Sequence, residues 1–333
     1  MIEVVHFQRR PGPRAFSIER LFDDLRAALP PDVRVRKHVV SHASEGLWRR
    51  LAAVLDAGRH RGPVNHITGD VHFLTFGLPG HNTILTIHDC GILHRSRGLK
   101  HWLFKQFWFT LPMSRSRVVT AISEATRREL IGLQAVPVGK IRVIYDCVSP
   151  LFIPAPAAFN GVRPTILLLG TAPNKNLERI AIALEGIPCV VELIGQPTSQ
   201  QRQLFIQRGL QLIELGDVQN AEIIQAYRRC DLVLFASTHE GFGLPILEAQ
   251  ATGRPVVTGN CSSMPEVAGD AACLVDPFDP VAIRSGIERV IRDEIYRGQL
   301  LLRGFENVRR FSTTQIAAEY AKLYREVALA HRE

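Results

Sequence analysis

The most informative part of the sequence is Ser237-Thr-His-Glu240-Gly-Phe-Gly243-Leu-Pro245-Ile-Leu-Glu248-Ala-Gln-Ala251. An apolar run at 232–236 precedes it, and Pro245 stands where a helix would begin, because proline is favoured in the first helical turn. Its two glycines allow the backbone to approach a ligand closely. The segment predicts a strand, a glycine loop and a helix N-terminus, whose free N–H groups suit a diphosphate.

Short apolar runs rich in β-branched residues alternate with longer amphipathic stretches along the whole chain. This alternation is typical of βαβ units with a parallel sheet. Ten strands are predicted in two series, at 2–7, 33–40, 64–67, 82–87 and 117–121, and then at 165–169, 190–194, 210–215, 232–236 and 255–258. The predicted fold class is α/β, with two doubly wound, Rossmann-like domains facing across a cleft.

The boundary between the two domains is predicted from prolines. Four prolines at 150, 154, 156 and 164 interrupt any helix and remove donors from any sheet. A chain of 333 residues also exceeds the usual size of a single core. The predicted domains are 1–155 and 156–312, followed by a C-terminal helix in 313–333 whose apolar stripe is predicted to pack back on the N-terminal domain.

Composition indicates an ordinary folded protein, with 46% hydrophobic and 22% charged residues. The six cysteines are scattered without any C-x-x-C pair, which predicts a reducing compartment and no zinc site. The apolar run at 2–7 precedes Arg9 and Arg10, the reverse of the order in a signal peptide. No apolar run reaches the ~18 residues that span a bilayer. A cytoplasmic protein is therefore predicted.

Positive charge is concentrated in the first half of the chain. Residues 1–150 hold 22 Lys plus Arg against 12 Asp plus Glu, giving +10, whereas the remainder holds 18 against 20, giving −2. This asymmetry predicts contact with an anionic partner, although a solvated basic face remains an alternative. Five aromatics at 102–109 lie close to Lys100 and Lys105. They predict peripheral contact with an anionic membrane, with an ordinary core helix as the alternative.

Glu240 and Glu248 frame the sequence G-F-G-L-P, and this pairing changes how each is interpreted. A single glutamate would be taken as a solvated helix residue. The framed pair resembles the E-x7-E signature of the group-1 family of retaining glycosyltransferases, which have the GT-B architecture. The resemblance covers nearly the whole chain, because Thr86-Ile-His88-Asp89, Lys175-Asn176 and 264–269 follow in the family's order.

The resemblance implies a role for each matched residue. Lys175, after the strand-ending Gly170, would neutralise the donor diphosphate, and Glu248 would hold the ribose. Glu240 would contact the donor sugar. The backbone of Phe242, Gly243 and Leu244 would cradle the phosphates. His88 would help to position the reacting groups, with a hydrogen-bonded structural histidine as the alternative.

The resemblance also implies the reaction. A sugar would pass from a nucleotide-diphosphate donor, such as GDP-mannose or a UDP-hexose, to a glycan or lipid-linked acceptor in polysaccharide or glycolipid synthesis. Configuration at the anomeric carbon would be retained, without a side-chain nucleophile, a bound metal or any cofactor besides the donor. The predicted location is the cytoplasm, at the inner face of the cell membrane if attachment occurs.

Two features depart from the family pattern. Thr171 stands where relatives often have an arginine, and the segment from Gly170 to Lys175 is one residue shorter. One phosphate-binding cation is therefore missing or supplied elsewhere. The first loop has only Gly12 where many relatives carry two glycines, so a plain turn is the preferred interpretation.

Other functions remain as alternatives. A sugar-nucleotide epimerase or a phosphorylase can share the architecture, and isomerisation of the free donor would identify the former. A pI near 9.5 also fits a nucleic-acid-binding protein. The basic residues, however, do not alternate with aromatics as a stacking groove needs, so no nucleic-acid partner is predicted.

Overall fold

The computed structural model describes residues 1–10, 17–40 and 46–330. These residues form twelve strands. They are β1 (Ile2–Gln8), β2 (Val33–Val39), β3 (Val64–Ile67), β4 (Thr83–Ile87), β5 (Val118–Ala121), β6 (Ile141–Val143), β7 (Thr165–Leu169), β8 (Val190–Ile194), β9 (Gln211–Gly216), β10 (Leu232–Phe235), β11 (Val256–Gly259) and β12 (Cys273–Val275).

The same described residues form fourteen α-helices. They are α1 (Ser17–Ala28), α2 (Leu47–Arg59), α3 (Gly91–His94), α4 (Gly98–Phe104), α5 (Leu111–Arg115), α6 (Glu124–Gly132), α7 (Leu177–Leu184), α8 (Ser199–Gln207), α9 (Asn220–Arg229), α10 (Leu244–Thr252), α11 (Met264–Ala268), α12 (Pro280–Arg292), α13 (Glu294–Val308) and α14 (Thr313–Leu329). A π-helical segment, Lys105–Thr110, connects α4 to α5.

The chain divides into two compact units, each built on one parallel six-stranded sheet. The first unit has strand order β2-β1-β3-β4-β5-β6, and the second has β12-β11-β10-β7-β8-β9. Both orders reverse direction beside the first strand, between β1 and β3 and between β7 and β10. Two Rossmann-like α/β units are therefore confirmed. In such sheets, ligands bind beyond the carboxyl ends of the strands at the point of reversal.

The division between the units falls between Cys147 and Val148, earlier than the predicted boundary at residue 155. The proline-rich segment belongs to the second unit because its backbone is hydrogen-bonded there. The Ala155 N–H donates to the Thr252 carbonyl at 3.1 Å, and the Arg254 guanidinium donates to the Ala155 carbonyl at 2.9 Å. The C-terminal helix α14 is part of the first unit.

A chain of buried hydrogen bonds attaches α14 to the sheet of the first unit. Arg26 lies 3.2 Å from His6 Nδ1, and because a guanidinium only donates, this nitrogen is an acceptor. His6 Nε2–H then donates to the Tyr324 hydroxyl at 2.8 Å. That hydroxyl donates to His66 Nδ1 at 2.7 Å, and His66 Nε2–H donates to Thr86 at 2.6 Å. The direction set by Arg26 requires both histidines to be neutral.

Acidification is expected to destabilise this unit. Burial, with the neighbouring His88 and Arg26 adding to it, lowers the pKa of His66 to about 3, and burial lowers that of His6 well below its usual value. In the unfolded chain both pKa values lie near 6.5, so below about pH 6.5 the unfolded state binds more protons. For each histidine, the free energy of unfolding then falls by about 1.4 kcal/mol for every pH unit of acidification. Asp146 offsets part of this loss, because burial raises its pKa to about 6 and the folded state binds that proton.

Melting temperatures across this range of pH would test the expectation. The wild-type value should fall between about pH 6.5 and about pH 5, where the unfolded chain binds two protons that folded His6 and His66 do not, while Asp146 offsets part of the fall below about pH 6. His66→Asn should make this fall shallower, because one of the two titrating groups is removed. His81→Asn, at an exposed position of the same unit, is the matched control and should leave the slope unchanged. A wild-type melting temperature independent of pH would contradict neutral histidines.

Candidate functional site

The glycine loop leads from β10 into α10 as the sequence predicts. All four residues of β10 are buried, and the chain turns at Gly243, whose φ of +112° is in the left-handed region that favours glycine. A Cβ at this position would lie 3.2 Å from Ile246 Cδ1. Pro245 occupies the first turn of α10, and within this fully described loop no side chain caps the helix. The positive end of the helix dipole therefore lies beside the loop.

Lys175 and Glu240 form an ion pair at the reversal point of the second sheet. Lys175 follows β7 and Glu240 follows β10, the two neighbouring strands between which the sheet reverses. Lys175 Nζ lies 2.6 Å from Glu240 Oε1 and 4.5 Å from the centroid of the Phe235 ring. The two charged side chains are 20% and 14% exposed, so solvent screens the pair only partly.

Gly170 makes room for the lysine stem. Its φ is +86°, and a Cβ there would lie 3.0 Å from Lys175 Cε. A larger residue would therefore push the lysine away from its present position. Gly170, which the family resemblance places in the donor site, therefore leaves the space that the Lys175 side chain occupies.

Three polar residues that the sequence analysis did not single out hold Glu240 in place. Asn174 Nδ2 donates to Glu240 Oε1 at 3.2 Å and to the His239 carbonyl at 2.9 Å. Ser262 and Ser263, after β11, both donate to the Glu240 carbonyl, at 2.6 and 2.9 Å. The Ser263 hydroxyl also lies 2.6 Å from the Phe242 carbonyl, so its single hydrogen is shared between these two acceptors. The adjacent Met264-Pro-Glu segment, noted for its family resemblance, was the only signal in the sequence.

Glu248 lies inside α10, where it is buried at 6% exposure. The hydroxyl of Tyr227, at the end of α9, donates to Glu248 Oε2 at 2.7 Å. This tyrosine is itself fully buried and lies edge-on against Phe152 at 5.3 Å between ring centroids. Glu248 is therefore not the solvated helix residue that a lone glutamate would suggest, and Tyr227 fixes the orientation of its carboxylate.

His88 belongs to the first unit and directly follows β4. Its Nε2 lies 2.9 Å from the Thr68 carbonyl. Because a carbonyl only accepts, Nε2 carries the proton, and in the neutral ring Nδ1 is left as an acceptor. The nearby Asp146 is fully buried, and burial raises its pKa to about 6 although His88 acts in the opposite direction. The structural interpretation of His88 and a positioning role are both compatible with this geometry.

The two departures from the family pattern differ in outcome. Gly12 lies outside the described residues. Thr171 is described, and its carbonyl accepts a hydrogen bond from Gln201 at 2.9 Å. Arg179, one turn after Lys175, lines a cavity of about 560 Å³ beside this segment and donates to Asn176 Oδ1 at 3.1 Å.

One cluster of the first unit has donor atoms that could hold a cation. His38, Asp56 and His60 bring one ligand atom each to within 4.8 Å of the others. Asp56 already bonds both rings, with His38 Nε2 at 2.9 Å and His60 Nδ1 at 3.2 Å. The cluster joins the sheet-edge strand β2 to α2 through these hydrogen bonds, and nothing else among the described residues points to a bound cation there.

Two family models match successive parts of the chain. "Glycosyltransferase Family 4" matches residues 4–150, and "Glycosyl transferases group 1" matches residues 163–293. The chain belongs to the group-1 glycosyltransferases. The second match includes the glycine loop, Lys175 and both glutamates.

The curated relatives of this glycosyltransferase include several mannosyltransferases. The chain is 28% identical over 286 residues to O-antigen chain mannosyltransferase B of Escherichia coli, covering 76% of this chain and 74% of that protein. It is 26% identical over 285 residues to the serotype-specific mannosyltransferase WbdA of E. coli, but spans only 35% of that protein. A phosphatidyl-myo-inositol mannosyltransferase of Mycobacterium leprae is 29% identical over 223 residues, with 62% of this chain and 59% of that protein covered.

Solved structures share the fold at low sequence identity. A sucrose-phosphate synthase from Thermosynechococcus elongatus has a TM-score of 0.80 at 18% identity, covering 99% of this chain and all of that one. HepE of Anabaena, in complex with UDP and glucose, has a TM-score of 0.77 at 17% identity. The match covers 98% of this chain and 100% of the HepE chain. These similarities confirm the two-domain GT-B fold. Within the part of the chain that the structure describes, no helix is long and apolar enough to cross a bilayer.

Proposed function

We propose that this glycosyltransferase moves a hexosyl group from a nucleoside-diphosphate sugar to a glycan or lipid-linked acceptor, with retention at the anomeric carbon. The observation that carries the proposal is the Lys175–Glu240 pair at the reversal point of the second sheet, beside the N-terminus of α10. The names of the curated relatives favour mannose as the sugar and O-antigen or glycolipid synthesis as the context.

The chemistry requires negative charge to be stabilised on the departing nucleoside diphosphate. Lys175 supplies a cation, and the backbone N–H groups of Phe242, Gly243 and Leu244 supply neutral donors at the positive end of α10. Such fixed donors act on charge as it develops and need little reorganisation during the reaction. Lys175 would then exchange part of its contact with Glu240 for the phosphates.

The remaining site residues bind the two ends of the donor. Glu248, oriented by Tyr227, accepts hydrogen bonds from the ribose hydroxyls. Glu240, held by Asn174 and two serines, accepts them from the transferred sugar. His88 Nδ1 is an acceptor suited to a sugar hydroxyl, and its role rests on the resemblance together with this tautomer.

The cytoplasm is the proposed compartment. All six cysteines are free, and five of them are buried. Burial raises the pKa of the Cys230 thiol to about 12, so this sulfur is a buried apolar group and not a reactive one. These thiols support a reducing environment, in which sugar nucleotides would be met on the inner side of the cell membrane.

A donor screen tests the proposal directly. A nucleotide sugar that binds only the folded state at a concentration of 100 Kd adds about 2.7 kcal/mol of stability, which raises the melting temperature. GDP-mannose, UDP-glucose and their free nucleosides should be compared, and the active donor should then be followed by NMR to assign the product anomer. Isomerisation of the donor without an acceptor would favour an epimerase instead, and an inverted product would exclude retention.

Sugar transfer is expected to continue in excess EDTA. The proposed cationic roles belong to Lys175 and to backbone donors, so removal of divalent metal should leave the initial rate close to that of the untreated protein. The rate should be measured before and after dialysis against EDTA, with added magnesium and manganese as the comparison. Activity abolished by EDTA and restored by either ion would require a metal in the mechanism.

A further inference from the structure

The first unit carries an apolar groove of about 650 Å³ that its core does not fill. One wall is α2, which contributes Leu51, and the other is the helical run from α4 to α5, which contributes Leu103 and Phe107. Phe76, at the end of a short 3-10 segment, also lines the groove. Apolar surface that is exposed in one place can mark a site of protein, ligand or membrane contact.

The helices of both walls also expose large apolar side chains that do not line the groove, and we call Trp48, Leu99 and Trp102 its rim. Trp48 is 81% exposed on α2, and Leu99 is 72% exposed at the start of α4. Of the aromatics noted in the sequence, Phe109 is buried in the core, whereas Trp102 and Phe107 are each 52% exposed. The core-helix interpretation therefore holds for one side of this helix only. The sequence analysis missed α2, whose Trp48, Leu51 and Leu55 recur at helical spacing.

Both walls carry a net positive charge. Residues 90–123 hold six Lys plus Arg and no Asp or Glu, whereas α2 holds Arg49, Arg50 and Arg59 against Asp56, whose carboxylate bonds His38. Arg50 lies over the Trp108 ring at 5.3 Å, and Lys100 over the Phe104 ring at 5.8 Å. Both rings are half-buried, but Trp102 and Phe107 on the same helical run are exposed, and basic residues among exposed aromatics are typical of interfacial helices at anionic bilayers.

We propose that this groove and its rim dock the protein on an anionic lipid bilayer, with acyl chains of the leaflet entering the groove. A second copy of the chain fits less well, because a two-fold contact would place these basic walls against each other. The proposal deepens the proposed function by naming the surface on which a lipid-linked acceptor would be met. Vesicle binding itself requires neither donor nor transfer.

Vesicle flotation of the full chain tests the docking surface. The protein should float with vesicles of phosphatidylcholine mixed with phosphatidylglycerol, bind phosphatidylcholine alone much more weakly, and lose part of its binding as salt rises. Trp48→Ser combined with Trp102→Ser should lower the partition coefficient by about tenfold or more, because two exposed apolar anchors are removed. Arg49→Glu combined with Lys100→Glu should weaken binding to the anionic vesicles specifically.

The matched control is Ile295→Ser combined with Leu302→Ser, which removes two exposed apolar residues of the second unit. Its binding should equal that of the wild type. The proposal is overturned if the wild type does not float, if the control loses as much binding as the tryptophan variant, or if the tryptophan substitutions instead abolish a dimer seen by light scattering. Transfer to a water-soluble acceptor without vesicles, measured in parallel, distinguishes failure of this surface from failure of the glycosyltransferase proposal.

Discussion

Lys175→Gln is expected to lower kcat/KM for sugar transfer by about 10²-fold to 10³-fold, the usual cost of removing a donor aimed at developing charge. Lys175 is the side-chain cation at the reversal point in our proposal, and glutamine keeps most of its length while removing the charge. The loss should fall mainly on kcat, because the phosphates gain charge as the glycosidic bond breaks. Steady-state kinetics with the identified donor would measure it. Lys322→Gln, at an exposed position of α14, is the control.

The contact between Lys175 and Glu240 predicts a second effect of this substitution, on the binding of a nucleoside diphosphate. In Lys175→Gln the Glu240 carboxylate keeps its charge but loses the lysine at 2.6 Å, so it should repel a nucleoside diphosphate. The dissociation constant of that ligand, which has no sugar for Glu240 to hold, should rise by about tenfold to a hundredfold. Adding Glu240→Gln should recover part of the affinity, because residues in direct contact are not additive. Wild-type affinity in Lys175→Gln would remove the lysine from the phosphate site.

The sequence predicts the sheets well where strands are buried on both faces. The runs at 64–67, 165–169 and 190–194 coincide with β3, β7 and β8, since central parallel strands appear as continuous apolar segments. Two strands were missed, β6 and β12, which have three residues each and form the outer edges of their sheets. So short a run does not contain enough of the alternation by which a strand is recognised.

The site is predictable as a set of residues but not as a set of contacts. The sequence names Lys175 and Glu240 separately and gives them different tasks, whereas the fold brings them into one ion pair. Sixty-five residues separate them, and only the adjacency of β7 and β10 makes them neighbours. Tyr227 was missed for the same reason, because its hydroxyl reaches Glu248 from another helix. Such contacts depend on sheet order, which the pattern of a single sequence leaves open.

Substitutions of the two glutamates are expected to change different kinetic constants, and Glu248→Gln gives the simpler result. Glu248 would bind the ribose, which is the same before and during the reaction, so its contribution is uniform binding. Glu248→Gln should raise the donor KM by about tenfold, the contribution of a hydrogen bond to a charged group, with little change in kcat. Tyr227→Phe should shift KM in the same direction by a smaller factor, because it leaves the carboxylate present but less firmly oriented.

Glu240→Gln should instead lower kcat more than it raises KM. Its carboxylate would contact the sugar ring, whose shape and charge change on the way to an oxocarbenium-like transition state, so its hydrogen bonds strengthen as the reaction proceeds. Ser262 and Ser263 bond the backbone carbonyl of Glu240, and Asn174 bonds the carbonyl of the preceding His239. These contacts do not depend on the charge, so the glutamine should keep its position. Glu306→Gln, on an exposed face of α13, controls for loss of a carboxylate in the same unit. Melting temperatures near that of the wild type would assign the losses to the site and not to folding. If Glu240→Gln and Glu248→Gln both transferred sugar with wild-type kcat and KM, the assignment of these two glutamates to the donor would be wrong.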